Sequence, residues 1–246
     1  MKTREGAEPG EYEAEAAGLR WLAEGEVRVP EVLAVGADPP FLALQLVEPG
    51  RLGPEGAERF GRALARLHRL GAPAHGWLPG GPARQRIGSL ALRTDPGGEW
   101  PEFYAEQRLL PLARMAVERG SLDDAGAEAI AGVCARIAEL AGPTEPPARL
   151  HGDLWAGNVH ADSAGEAWLI DPSAQGGHRE LDLAMLQLFG APGGGRTLAA
   201  YAEVAPLAEG HAERLDLWHL QPLLVHAVLF GGHYGRAAER AAGAYL

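Results

Sequence analysis

The 246-residue sequence contains very little cysteine, lysine and asparagine. Cys134 is the only cysteine, which excludes an internal disulfide and is typical of proteins from a reducing compartment. Lys2 is the only lysine and Asn158 the only asparagine. A compositional bias therefore removed these residue types almost completely. Chance survival explains one of them easily, but it explains both less well, because each lies where a particular chemistry would need it.

The sequence also lacks a positive net charge and a long uninterrupted apolar run. Its formal net charge is −11 and its pI about 5.3, so a nucleic-acid partner is not expected. The longest apolar stretch, residues 217–230, is interrupted by two histidines, a glutamine and a proline, and the first six residues form no apolar signal region. These features predict a cytoplasmic protein without a membrane span.

The most informative pattern lies in residues 149–173. Asp153 and Asn158 are five residues apart, and Asp171 follows Asp153 by eighteen. Two short apolar runs separated by a polar turn occupy the interval between Asn158 and Asp171. A hairpin formed by these runs would bring Asp171 back beside the other two side chains.

Two carboxylates and an amide oxygen around one point suit Mg²⁺, which prefers hard oxygen ligands and keeps room for phosphate oxygens. One carboxylate, Asp153, can remain off the metal and orient an attacking hydroxyl. This is the division of labour in a kinase catalytic loop that is followed by a metal-binding aspartate. The pattern therefore indicates phosphoryl transfer with ATP.

The first 49 residues are predicted to form a small unit. Lys2 would end a strand, and residues 11–22 would form a helix with Glu15 on its apolar stripe. A carboxylate on an apolar face needs a partner, and Lys2 is a candidate; a partly solvated glutamate is the alternative. Two strands would follow, and in a kinase the backbone near Val47 and Glu48 would hold adenine.

The break at residues 48–50 predicts a boundary between a partial N-terminal lobe, residues 1–49, and a helical C-terminal lobe, residues 50–246. In the second lobe, residues 75–98 are predicted to form a long ordered loop. Residues 101–118 are predicted to form a helix kinked at Pro111. Asp182 lies early in a later helix, where it could hold the catalytic loop by accepting backbone N–H bonds.

Several segments together resemble the fructosamine kinase (ketosamine-3-kinase) family. His-Gly-Asp-Leu-Trp-Ala-Gly-Asn at 151–158 is similar to that family's catalytic loop, and Ile-Asp-Pro-Ser at 170–173 to its metal-binding segment. Residues 177–185, 86–89 and 229–232 extend the similarity over nearly the whole chain. The resemblance implies an α+β, bilobal, protein-kinase-like fold with a small β-rich N-lobe and a mainly helical C-lobe.

The resemblance also implies roles for individual residues. Asp153 would orient the substrate hydroxyl or accept its proton, and Asn158 with Asp171 would hold Mg²⁺ against ATP. Lys2 would bind the α- and β-phosphates while pairing with Glu15.

The resemblance also bears on two further residues of the catalytic loop. Trp155 would pack against the sugar, or it would be a core residue behind the loop. His151 would structure the loop, with Asp182 supporting it, rather than act as a base.

The family phosphorylates the 3-hydroxyl of ketosamines, so the implied substrate is a small glycated amine or a glycated protein lysine. Two departures from the family pattern stand out. The chain begins at the lysine strand, whereas the family has about two further strands and a Gly-rich turn before it, which predicts a truncated N-lobe or a late start. Residues 89–92 lack the polar side chains usual after Ile-Gly.

Two other functions remain open at this point. One is a kinase for another hydroxylated amine, such as an aminoglycoside or a choline-like compound. The other is an inactive kinase-like protein, supported by the absent Gly-rich turn. The sequence leaves the oligomeric state undetermined.

Overall fold

A computed structural model describes residues 1–4 and 6–246. Its N-terminal part pairs one helix, α1 (Glu11–Leu22), with an antiparallel pair of strands, β1 (Val32–Ala37) and β2 (Pro40–Leu44). Lys2 adds an antiparallel bridge to Leu42 on the free edge of β2. Leu42 is fully buried against the apolar side of α1, so the helix covers one face of this small sheet.

The remainder of the chain is mainly helical. Its helices are α2 (Pro54–Arg69), α3 (Trp100–Tyr104), α4 (Leu110–Glu118), α5 (Asp124–Ala135), α6 (Ile137–Leu140), α7 (Glu180–Leu188), α8 (Gly195–Val204), α9 (Leu215–Phe230) and α10 (Tyr234–Gly243). Its strands form antiparallel pairs: β3 (Arg84–Ile87) with β4 (Leu90–Arg93), β5 (Ala148–Leu150) with β8 (Gln175–Gly177), and β6 (Val159–Ala161) with β7 (Ala167–Leu169).

Helix α9 lies at the centre of the larger apolar core. Its side chains are buried almost all around, from Leu217 to Val228, and it contacts α4, α7 and α10. A second core lies between α2, α8 and the β6–β7 hairpin. The strand pairs carrying residues 148–177 lie beside these helices, which gives the polar loops between the strands a rigid support.

The prediction of a long loop over residues 75–98 was wrong in part, because the segment contains the β3–β4 hairpin. Ile87 pairs with Leu90 across a two-residue turn, and Gly88 takes a φ of 58° there, a value that favours glycine. The strands are only four residues long and carry three arginines, so their alternating burial was hard to recognise in the sequence.

The helix predicted over residues 101–118 contains a π-helical turn over Ala105–Leu109, which ends two residues before Pro111. Proline has no N–H to donate, so the Gln107 carbonyl loses its usual helical partner. The Arg108 guanidinium donates to that carbonyl instead, at 2.8 Å. The wide turn thereby keeps its freed backbone group satisfied.

Over residues 1–4 and 6–246, no helix combines the length and the apolar character needed to cross a membrane.

Candidate active site

The hairpin predicted around residues 158–170 is present and sets the position of Asp171. Strands β6 and β7 pair in register from Val159–Leu169 to Ala161–Ala167. Beyond the pair, the Ile170 N–H donates to the Asn158 carbonyl at 3.1 Å. Asp171, the next residue, therefore leaves the hairpin beside Asn158, as the spacing predicted.

Asp153 and Asn158 are joined directly. The Asn158 Nδ2 donates to the Asp153 carbonyl at 2.8 Å and to its Oδ2 at 3.0 Å. Burial raises the pKa of Asp153, although the Asn158 hydrogen bond opposes that rise. A carboxylate with a raised pKa is a better proton acceptor than an ordinary aspartate.

Lys2 connects the small N-terminal sheet to this site. Its Nζ donates to the Glu15 carboxylate at 2.8 and 3.0 Å and to Asp171 Oδ1 at 3.0 Å. The Glu15 side chain is 13% exposed, and Lys2 is the partner that a carboxylate on the apolar face of a helix needs. Burial favours the neutral lysine, but the hydrogen bonds and charges of Glu15 and Asp171 outweigh it and raise the Lys2 pKa.

Two oxygen atoms at this site remain available to a cation. Asp171 has a φ of 52°, an uncommon left-handed value for a residue other than glycine. Among the described residues, neither Asp171 Oδ2 nor Asn158 Oδ1 accepts a hydrogen bond. Residues 1–4 and 6–246 contain no cluster of three or more His, Cys, Asp or Glu side chains suited to a metal. A cation bound here would therefore complete its shell with oxygens from a phosphate ligand and water.

Asp182 lies behind the loop that carries Asp153. Its side chain, 1% exposed in the first turn of α7, accepts from the N–H of His151 at 2.7 Å and of Gly152 at 2.9 Å. The His151 ring in turn accepts from the Asp153 N–H at 3.3 Å and donates to the Ile170 carbonyl at 3.0 Å. These bonds connect the loop to the segment that carries Asp171.

The two segments also approach each other through Gly152. Gly152 has a φ of 81°, and a Cβ there would lie 2.0 Å from the Ser173 carbonyl oxygen, so only glycine fits. Gln85 Nε2 donates to that same carbonyl at 2.9 Å and to Ser173 Oγ at 3.0 Å. Gln85 belongs to strand β3, inside the segment predicted to be a loop. Sequence reasoning missed it, although the neighbouring Arg86-Ile87-Gly88-Ser89 similarity marked the region.

The candidate site contains a cleft of about 450 Å³. Lys2, Glu15, Asp153, Trp155, Asn158 and Asp171 are among its lining residues.

Trp155 is 41% exposed at the cleft, so it is not the core residue that the sequence left open. Its ring lies over Gly157, where a Cβ would come within 2.3 Å of it, and meets Phe189 edge-on with 6.4 Å between ring centroids. Among the described residues that line the cleft, neither Val47 nor Glu48 occurs. Their part in adenine binding stays a prediction.

The fold is that of the small-molecule kinases related to protein kinases. A crystal structure of a choline/ethanolamine kinase family protein from Mesorhizobium loti superposes with a TM-score of 0.60, over 95% of this chain and 78% of that one. Its sequence is only 16% identical, so this similarity establishes the fold alone.

The sequence comparisons identify the family more specifically than the fold does. The fructosamine kinase family model matches residues 1–246. The chain is 39% identical over 242 residues to a probable ketoamine kinase from Thermus thermophilus, covering 98% of this chain and 85% of that relative. A crystal structure of a Thermobifida fusca protein assigned as a fructosamine-3-kinase has 45% identity and a TM-score of 0.90, covering 98% and 82%. The chain belongs to the fructosamine kinase family.

This result confirms the predicted family, the kinase-like fold and the small-molecule kinase class, and it implies ATP as the phosphate donor. Kinases of choline-like compounds share the fold with little sequence identity, so the alternative substrates are not favoured. The boundary between residues 49 and 50 stays a prediction.

Proposed function

We propose that this protein transfers the γ-phosphoryl group of ATP to the 3-hydroxyl of a ketosamine, such as a fructosamine or a ribulosamine. The product is unstable and releases the amine, so the biological outcome is deglycation of small amines or protein lysines. One observation supports the proposal most directly. Lys2, Asp171, Asn158 and Asp153 face one cleft, and hydrogen bonds link Lys2 to Asp171 and Asn158 to Asp153.

In this proposal, the substrate hydroxyl donates its proton to Asp153 as its oxygen attacks the γ-phosphorus. The bond from that phosphorus to the β–γ bridging oxygen breaks, and ADP leaves. The raised pKa of Asp153 suits this proton transfer, while Asn158 Nδ2 keeps the carboxylate in one orientation. Positioning and charge neutralisation supply most of the rate enhancement in such transfers.

The Lys2 ammonium is proposed to contact the α- and β-phosphates. Hydrogen bonds from this ammonium to Glu15 and Asp171 hold the side chain in place. The backbone near Val47 and Glu48 is proposed to bind adenine.

Asn158 Oδ1 and Asp171 Oδ2 are proposed to hold Mg²⁺, the hard cation that their oxygens fit. When bound, Mg²⁺ would neutralise the phosphate charges. Trp155 is proposed to pack on the sugar, and its exposed ring at the cleft supports that role. His151 and Asp182 are proposed to keep the loop in its catalytic shape.

The test is ADP formation by the purified protein with ATP and Mg²⁺, using a fructosamine, a ribulosamine, choline and an aminoglycoside as acceptors. Turnover is expected with the ketosamines and lost in Asp153→Asn. The matched control is Asp124→Asn, which removes a carboxylate from the exposed first turn of α5 and should leave turnover unchanged. Turnover with choline or the aminoglycoside alone would refute the substrate assignment, and full turnover in Asp153→Asn would refute the catalytic assignment.

The cytoplasm is the proposed location, because it is a reducing compartment that suits the free thiol of Cys134 and because ATP is abundant in it.

A further inference from the structure

A line of buried polar side chains runs from helix α8 to the catalytic loop. The Tyr201 hydroxyl lies 2.8 Å from His68 Nδ1, and His68 Nε2 lies 3.3 Å from Asp182 Oδ2. Tyr201, His68 and Asp182 are each 3% exposed or less. Asp182 is the residue that accepts the N–H groups of the loop, so the line ends at the backbone that carries Asp153.

The Asp182 carboxylate, at the end of this line, determines which group donates in each hydrogen bond. The Asp182 carboxylate can only accept, so His68 Nε2 must carry the proton that is donated to it. In the neutral imidazole, Nδ1 is then an acceptor and takes the hydrogen bond of the Tyr201 hydroxyl. Burial raises the pKa of Tyr201, so the hydroxyl keeps the proton that it donates. Tyr201 thereby favours the one neutral tautomer of His68 that can bond Asp182.

The packing of α2 against α8 fixes the distance between Tyr201 and His68. A Cβ at Gly61 of α2 would lie 2.1 Å from the Thr197 carbonyl oxygen of α8, so the two helix backbones are in direct contact. His68 follows Gly61 by seven residues and Tyr201 follows Thr197 by four, which puts both pairs on the same contact faces. The helix contact leaves the two side chains little freedom to separate.

We propose that Tyr201 is a positioning residue of the kinase, which acts through His68 on Asp182 and so sets the catalytic loop. The inference rests on the proposed function and extends it to a helix that does not reach the cleft. Tyr201 is absent from the cleft lining among the described residues. The proposed effect on turnover therefore acts through the hydrogen bonds to the loop rather than through contact with the cleft.

The first experiment compares Tyr201→Phe with Tyr104→Phe. Tyr104 is also fully buried, and its hydroxyl donates to the Leu217 carbonyl at 3.2 Å, away from the loop. Each variant loses one buried hydroxyl. Tyr201→Phe is expected to lower kcat about 3- to 10-fold, the equivalent of one hydrogen bond, with the KM for ATP nearly unchanged. Tyr104→Phe is expected to lower Tm but leave kcat unchanged. Equal kcat in Tyr201→Phe and the wild type would overturn the proposal.

The second experiment asks whether Tyr201 acts through His68. In His68→Leu, both ring nitrogens are gone, so Tyr201 loses the side chain through which it would act on Asp182. Adding Tyr201→Phe to that variant should therefore produce no further loss of kcat. Additive losses would mean that Tyr201 acts by packing alone, and the proposal would fail.

The third readout does not depend on activity. Amide hydrogen exchange at His151 and Gly152 should accelerate about 3- to 10-fold in Tyr201→Phe and stay at the wild-type rate in Tyr104→Phe. Faster exchange in a protein that shows no ketosamine turnover would uphold the positioning role and refute the proposed function. Unchanged exchange would overturn the positioning role.

Discussion

Asp182 offers the sharpest test of how the fold holds its catalytic loop. Its carboxylate accepts from the N–H of His151 at 2.7 Å, the N–H of Gly152 at 2.9 Å and His68 Nε2 at 3.3 Å. Asp182→Asn keeps the volume but replaces one acceptor oxygen by an NH₂ group. That group faces a donor, so at least one buried N–H loses its partner.

The magnitude follows from these contacts. Loss of one charge-assisted hydrogen bond costs about 1.5–3 kcal/mol, and a buried unpaired donor costs about 1–3 kcal/mol more. The free energy of unfolding should therefore fall by about 2.5–6 kcal/mol, which lowers Tm by about 5–24 °C for a chain of this size. Because the loop also loses its fixed geometry, kcat should fall at least tenfold, by a rough estimate for a misplaced catalytic group.

Urea unfolding followed by circular dichroism gives the free energy, and ADP formation gives kcat. The matched control is Asp216→Asn, at a side chain that is 55% exposed on α9, where both quantities should stay close to wild type. A loss below about 1 kcal/mol in Asp182→Asn, with kcat preserved, would refute the reasoning, because an ordinary surface substitution has that size.

Three further predictions address the site itself. Lys2→Met should raise the KM for ATP about tenfold or more, because a charged contact to the phosphates is lost, while Lys2→Arg should retain part of the affinity. An unchanged KM for ATP in ADP-release assays would remove Lys2 from the phosphate site. A protonated Asp153 cannot accept a proton, so kcat should fall as the pH is lowered through the pKa of this group. Because burial raises that pKa, the fall should occur above the ordinary aspartate pKa of about 3.9. A plot of kcat against pH that stays flat down to that value would contradict the role of Asp153 as proton acceptor. Gly152→Ala should destabilise the protein by more than about 2 kcal/mol in urea unfolding, because its Cβ would lie 2.0 Å from the Ser173 carbonyl oxygen. The control variant Gly243→Ala has open space around its Cβ and should leave the stability unchanged or raise it. Equal stability of the two variants would refute the steric argument.

The parts of the site that lie close together in sequence were predictable. The hairpin that returns Asp171 to Asn158 depends on two apolar runs and a polar turn, all within one short segment. The pairing of Lys2 with Glu15 was predictable for a different reason. A carboxylate on the apolar face of a helix requires a partner, and the chain contains a single lysine.

The contacts that could not be predicted join segments far apart in sequence. Gln85 bonds Ser173 across 88 residues, and Tyr201 bonds His68 across 133. Local periodicity places such residues on a strand or a helix face but does not say which distant group they meet. The β3–β4 hairpin was missed because its four-residue strands give too short a pattern to distinguish from a loop.

The most direct test of the central claim is to identify the product. The protein, ATP, Mg²⁺ and a fructosamine are incubated together, and phosphorus and proton NMR locate the phosphate on the sugar. A phosphate on the 3-hydroxyl, formed with one ADP per turnover and absent with Asp153→Asn, is the result that the proposed reaction predicts. A phosphate at another position, or hydrolysis of ATP with no phosphorylated sugar, would contradict it.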